Sequence, residues 1–115
     1  MMHITIPWPP RECSPNWRGH WATKAKAVKK YREAGWACTK RDKVAVTWDG
    51  DIDLSITFYP PDKRRRDWDN MLASCKPALD GIADALKVND SRFRVSMQRS
   101  KETLGQVVVT VSPAF

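Results

Sequence analysis

DIDLSITFYPPDKRRRDWDNMLASCKPALDGIADALKVND, residues 51–90, decides how this chain folds. It begins with an alternation. Ile52, Leu54, Ile56 and Phe58 fall on one side of an extended chain, and Asp53, Ser55 and Thr57 on the other. A period of two marks a strand with one face buried, and Pro60 and Pro61 end it. After Asn70 the period changes: Leu72, Cys75, Leu79, Ile82 and Leu86 recur at helical spacing. Pro77 sits inside that helix and cannot donate to residue 73, which predicts a kink or a helix restart. Asn89 and Asp90 then form a turn.

Upstream, His3 to Trp8 alternates and stops at Pro9 and Pro10, as a short strand does. Arg11 to His20 carries turn residues and is expected to be a loop. Trp21 to about Lys40 is expected to be a helix, with Trp21, Ala25, Val28, Tyr31, Gly35 and Cys38 on one face. Lys26, Lys29 and Lys30 fall off that face and stay free for solvent or phosphate. Downstream, Phe93–Gln98 and Gln106–Val111 are strands, and Gly105 between them suggests a hairpin. The order β-α-β-α-β-β predicts an α+β domain over residues 1–115, with two main helices on one mixed sheet. Of the six tryptophans, Trp8, Trp21 and Trp36 are expected in the core. Trp17 and Trp68 have polar neighbours, and either pack or stack on an unpaired base.

The 115 residues suit one compact domain. No apolar run is long enough to span a membrane, and the start MMHITIPWPP has no secretion-signal pattern, so a cytoplasmic location is expected. Cys13, Cys38 and Cys75 form neither a disulfide framework nor the close pairs of a structural zinc site. Lys and Arg total 20 against 13 acids. The excess of seven lies between Arg18 and Lys43, where nine bases meet two acids. So local a surplus points to a polyanion, most often nucleic acid; a solvated helix face is the plainer alternative.

The candidate chemistry lies in the stretch quoted first. Asp67 and Asp69 follow Arg64, Arg65 and Arg66 directly. In an extended segment, residues two apart project to one side, where two carboxylates can share a hard cation such as Mg²⁺. Alternatively, one of them caps the helix that begins there. Asp90, about twenty residues on, can be returned beside them by a helix that packs back; otherwise it is a plain turn residue. Three converging carboxylates need a cation to offset their repulsion. Lys76, seven residues after Asp69, either pairs with Asp80 on the helix surface or directs its ammonium at a phosphate. Guanidinium groups match phosphate oxygens in a bidentate way, so base to hold a strand stands next to acid to hold a metal.

DKRRRDWDN, then KPALDGIADAL, then the turn Asn89–Asp90, resembles the RusA family of Holliday-junction resolvases. The opening ITIPWPP and the loop with Asn16 and Trp17 fit the same pattern. The resemblance covers nearly the whole chain. It implies a RusA-like α+β homodimer that binds four-way DNA junctions and resolves them by paired symmetric nicks in recombination and repair. The cofactor it implies is Mg²⁺, with Mn²⁺ able to substitute. It implies that Asp67, Asp69 and Asp90 are the catalytic, metal-binding carboxylates and Lys76 the functional lysine. Arg64, Arg65 and Arg66, with Lys26, Lys29 and Lys30, would then grip DNA. The family's acidic turn is commonly two aspartates; here the first is Asn89, which leaves Asp90 as the ligand. The alternatives are a nuclease for flaps and other branched DNA, and a branched-DNA-binding protein without catalysis.

Overall fold

The computed structural model of the protein describes residues 2–114; Met1 and Phe115 lie outside the described residues. Four strands and two long helices follow one another: β1 (Met2–Pro7), α1 (Trp21–Arg41), β2 (Ile52–Tyr59), α2 (Trp68–Leu86), β3 (Phe93–Arg99) and β4 (Gln106–Pro113). Short 3₁₀ turns precede α1 at Arg11–Cys13 and β3 at Asp90–Arg92. The fold is α+β with a mixed sheet, and its element order is the one the sequence predicts.

Strand β2 alternates as expected. Ile52, Leu54, Ile56 and Phe58 are fully buried, and the residues between them are half-buried or exposed. The sheet order is β1-β4-β2-β3. β4 runs antiparallel to both β1 and β2, whereas β3 runs parallel to β2, with Ile52 opposite Phe93 and Phe58 opposite Arg99. The hairpin expected around Gly105 does not form, because β3 and β4 lie on opposite sides of β2. Burial explains the arrangement. Val107, Val109 and Val111 of β4 are completely buried and belong in the middle of a sheet. β3 has no buried residue and suits an edge. The connection crosses the end of β2, where Ser100 N–H donates to the Phe58 carbonyl at 2.9 Å and Gly105 N–H to that of Pro60 at 3.3 Å.

One hydrophobic cluster joins the sheet's inner face to both helices: Ile4 and Ile6 of β1, the four β2 residues, the β4 valines, Tyr31 of α1, and Met71, Cys75, Leu79, Ile82 and Leu86 of α2. Glycine brings the helices close. A Cβ on Gly35 would collide with the carbonyl of Ala78, and one on Gly81 with the carbonyl of Arg32. Across the outer side of this contact, Arg32 donates to both Asp84 oxygens at 2.7 and 2.9 Å. Helix α2 is continuous through Pro77, so no restart occurs there. It ends on Lys87, which takes a left-handed conformation (φ 56°) and turns the chain toward Asp90.

Two tryptophan expectations change. Trp21 and Trp36 are exposed, at 76% and 48%, and are not core residues. The first turns of α1 carry Trp21 beyond the helix contact, which begins to bury residues only at Tyr31. Trp36 lies on the outer side of α1, with the Lys40 ammonium 5.8 Å from its ring centre. Trp8 is half-buried and meets Phe58 edge-on at 5.9 Å. All three cysteines are buried and free, and burial pushes the Cys75 thiol up to about 12.

Candidate active site and nucleic-acid interface

Pro60 and Pro61 end β2, and the chain crosses residues 62–67 before α2 begins. This loop is braced from within. The Arg66 guanidinium pairs with Asp62 at 2.9 Å and donates to the carbonyls of Asp62 and Arg64, both at 3.2 Å. It also lies 5.3 Å from the centre of the Trp8 ring. The same pairing holds the Asp62 carboxyl below the usual carboxylate range. From the far edge of the sheet, Arg99 donates to the Arg64 carbonyl at 3.1 Å. Arg66 therefore serves the loop itself, with a side chain only 11% exposed. The side chains of Arg64 and Arg65 have no acidic partner among the described residues.

Asp67 is the N-cap residue of α2, in extended conformation, yet its side chain makes no capping hydrogen bond. Capping is the usual task of an Asp at this position, and here the exposed carboxylate does not perform it. Asp69 lies in the first helical turn, not in an extended pair with Asp67. One of its oxygens accepts the Asn70 N–H at 3.0 Å. Negative charge is favoured at this end of a helix by a few tenths of a kcal/mol. Trp68, between the two acids, is 66% exposed and takes no part in the core.

Asp90 begins the 3₁₀ turn after α2. Asn89 caps that turn by accepting the Ser91 N–H at 2.9 Å, which gives its amide oxygen a structural task. Asp90 meets α2 at Lys76, whose ammonium lies 3.4 Å from its Oδ2 and also pairs with Asp80. These two carboxylates, Asp80 before Asp90, raise the Lys76 pKa. Lys76 lies about 10 Å along the helix axis from Asp69, on the same face. The structure thus forms two acidic points along α2: Asp67 at the N-cap with Asp69 in the first turn, and Asp80 with Asp90 around Lys76 further along. Among the described residues, no three His, Cys, Asp or Glu side chains stand together as a metal-holding group.

The donor chemistry of the first point suits a hard cation. Mg²⁺ commonly takes one or two carboxylates, keeps several waters and completes its shell with substrate phosphate. Asp67 and Asp69 provide such carboxylates on an open surface. From the sequence, Asp80 is only a surface partner of Lys76, a pair that does form; its meeting with Asp90 around that lysine is what sequence reasoning passed over. Its spacing from Lys76 was visible, but its company with Asp90 depends on how the chain returns. Arg99 was also passed over, because nothing in the sequence of an edge strand ties it to the Arg64 carbonyl.

Two clefts meet at Trp8 and Pro10. One, of about 750 Å³, is bordered by the loop from Trp8 to Trp17, by Arg64, Arg65, Arg66 and Asp67, and by Asn70 of α2. The other, of about 450 Å³, runs along α1 and has Lys26 and Lys30 on its border. Lys29 is exposed on α1 but does not line that groove. Basic residues from α1 border one of these neighbouring clefts, and the arginine loop borders the other together with Asp67.

No helix of the described structure is long and apolar enough to cross a membrane. No family model matches the chain. A protein of Xylella fastidiosa (strain Temecula1), described as an uncharacterized protein, is 41% identical over 122 residues, an alignment that covers 97% of this chain and 76% of that protein. At that identity and coverage, this chain belongs to the same family as the Xylella fastidiosa protein.

Proposed function

We propose that this protein is a Mg²⁺-dependent endodeoxyribonuclease that resolves four-way DNA junctions, with a RusA-like fold and a homodimeric assembly. The observation that carries the reading is the N-cap carboxylate of Asp67. It is free of its usual capping bond and lines a cleft that Arg64 and Arg65 also line. A structural N-cap would use its side chain on the helix.

In this reading Arg64 and Arg65, with Lys26 and Lys30 across the adjoining groove, hold phosphates and place the strand over the start of α2. Asp67 and Asp69 hold the cation, which when bound supplies Lewis-acid charge and an activated water. Asp90 stands apart, beside Lys76 further along α2, and would join the centre only if the bound strand and cation draw it there. Lys76 offers a positive charge to the phosphoryl oxygens. Arg66 and Arg99 keep the loop in place. A twofold dimer would present two such sites to the two symmetry-related strands of a junction, in the cytoplasm where recombination and repair take place.

A second reading has an observation of its own. Asp90 pairs with Lys76 rather than standing with Asp67 and Asp69, as it would in a branched-DNA-binding protein without catalysis. The two are separated by incubating the protein with a four-way junction, a flap and a plain duplex, each in Mg²⁺ or EDTA. The nuclease reading expects paired symmetric nicks in the junction that disappear in EDTA. Junction binding with no nicks in Mg²⁺ or Mn²⁺ would leave only the binding protein. Cleavage of the flap alone would move the substrate to other branched DNA.

A further inference from the structure

The larger cleft has a composition that phosphate binding alone does not account for. Its outer wall is the loop that carries Asn16 and Trp17, and that loop is ordered in advance. Asn16 N–H donates to Ser14 Oγ at 3.2 Å, Trp17 N–H to the Ser14 carbonyl at 3.1 Å, and the Lys24 ammonium to the same carbonyl at 3.1 Å. Gly19 leaves space for the Trp17 ring, because any Cβ there would collide with its six-membered half. The indole is thus held, half-buried, at the cleft wall, in a segment outside the hydrophobic core.

The same cleft is also lined by Arg64 and Arg65, without acidic partners among the described residues, and by Asn70. The volume of about 750 Å³ lies within the roughly 300–1,000 Å³ range of clefts that hold small molecules. A flat π-surface, two guanidinium groups and two amide side chains form one set. The indole suits the face of a nucleobase, the guanidiniums its phosphate, and the amides its hydrogen-bonding edge. A paired base inside a duplex cannot present its face to Trp17, whereas an unpaired one can. Trp8 does not compete for this role, since Arg66 covers its ring and Phe58 meets it edge-on.

We infer that the cleft between Trp17 and the arginine loop is a binding site for a single unpaired nucleotide of DNA, with the base stacked on Trp17 and its phosphate on Arg64 and Arg65. Asp67 borders the same cleft, so the captured nucleotide would set which phosphate meets the reaction centre. The inference rests on the DNA partner proposed above, but not on cleavage.

It is tested in EDTA, without metal or catalysis. A short labelled thymidine oligonucleotide is compared with an abasic oligonucleotide of equal length and charge. The protein is expected to prefer the thymidine strand roughly tenfold, within the range of base-on-aromatic stacking. Trp17→Ala should remove that preference, Trp17→Phe should keep most of it, and Arg65→Ala should weaken both oligonucleotides alike. Equal affinity of the unaltered protein for the two strands overturns the inference, as does an undiminished preference in a folded Trp17→Ala. If Trp17→Ala does not fold, Trp17→Phe and Trp17→Leu decide: loss in Leu but not Phe supports stacking, and equal preference in both overturns it. A base preference without junction cleavage would sink the nuclease reading and leave this one; junction cleavage without a base preference would do the reverse.

Discussion

The ammonium of Lys76 lies 3.4 Å from the carboxylate of Asp90, fourteen residues further along the chain, and shares its charge with Asp80 one helical turn away. The pairs are largely exposed, so they hold the turn after α2 without contributing much stability. Lys76→Met should therefore shift folding stability by less than about 1 kcal/mol. In the proposed nuclease it should lower junction cleavage by roughly a hundredfold or more, the scale on which removal of a transition-state charge partner acts. Single-turnover cleavage with a parallel thermal melt checks both. Full cleavage by a folded Lys76→Met would remove the lysine from the reaction centre.

Asp67→Asn separates capping from chemistry. Asn serves as well as Asp at a helix N-cap, and the Asp67 side chain makes no capping bond to lose. Stability should change by less than about 0.5 kcal/mol, while Mg²⁺-dependent cleavage falls by at least roughly a hundredfold. Chemical denaturation and a cleavage assay on one preparation measure the two. Unchanged cleavage would return Asp67 to a structural role.

The three consecutive arginines should not behave alike. Arg65 has no acidic partner among the described residues, so Arg65→Ala should weaken DNA binding and reduce the slope of log affinity against log salt by about 1. Arg66 is held by Asp62 and packed on Trp8, so Arg66→Ala should loosen the loop and lower the melting temperature. A salt titration and a melt for each variant test this contrast; identical behaviour of the two would contradict the loop geometry.

Gly35→Ala probes the contact of α1 with α2. Its Cβ would collide with the Ala78 carbonyl, which is backbone and cannot swing away. The helix-propensity gain of Ala over Gly, about 1 kcal/mol, is too small to offset the strain. A net loss of about 2 kcal/mol is expected from urea unfolding, in the range of overpacked sites. A stabilised variant would show that the helices can separate at no cost.

Asp42 controls part of the acid stability. The Arg41 guanidinium, first, and the Thr5 N–H hold its carboxyl below the usual range. Because the folded value is lower than the unfolded one, near 3.9, the stabilisation is fully present above that unfolded value. It is lost as pH falls through the folded value. Asp42→Asn should therefore reduce stability at neutral pH and flatten the decline below about pH 4. Urea unfolding across pH 2–7 reads this, and parallel curves for the two proteins would exclude Asp42 from the acid limb.

Local pattern was sufficient for much of this fold. The period of two in β2, the period of 3.6 in both helices and the proline stops placed those elements within a residue or two, because they depend on neighbours in the chain. The adjacency of the arginines to Asp67 and Asp69, and the i,i+4 spacing of Lys76 and Asp80, were legible for the same reason. What lay beyond sequence was decided by packing between distant segments. Gly105 favours a turn but cannot choose a partner for β3; the full burial of Val107, Val109 and Val111 chooses it, by drawing β4 between β1 and β2. Trp21 and Trp36 have the composition of core residues, yet where α1 meets α2 puts them in solvent. The side-chain tasks of Arg66 and Asp90 were equally hidden. Asp62 is only four residues from Arg66, but Trp8 and Lys76, which occupy the two side chains as well, are brought alongside only when the sheet and the two helices close on one core.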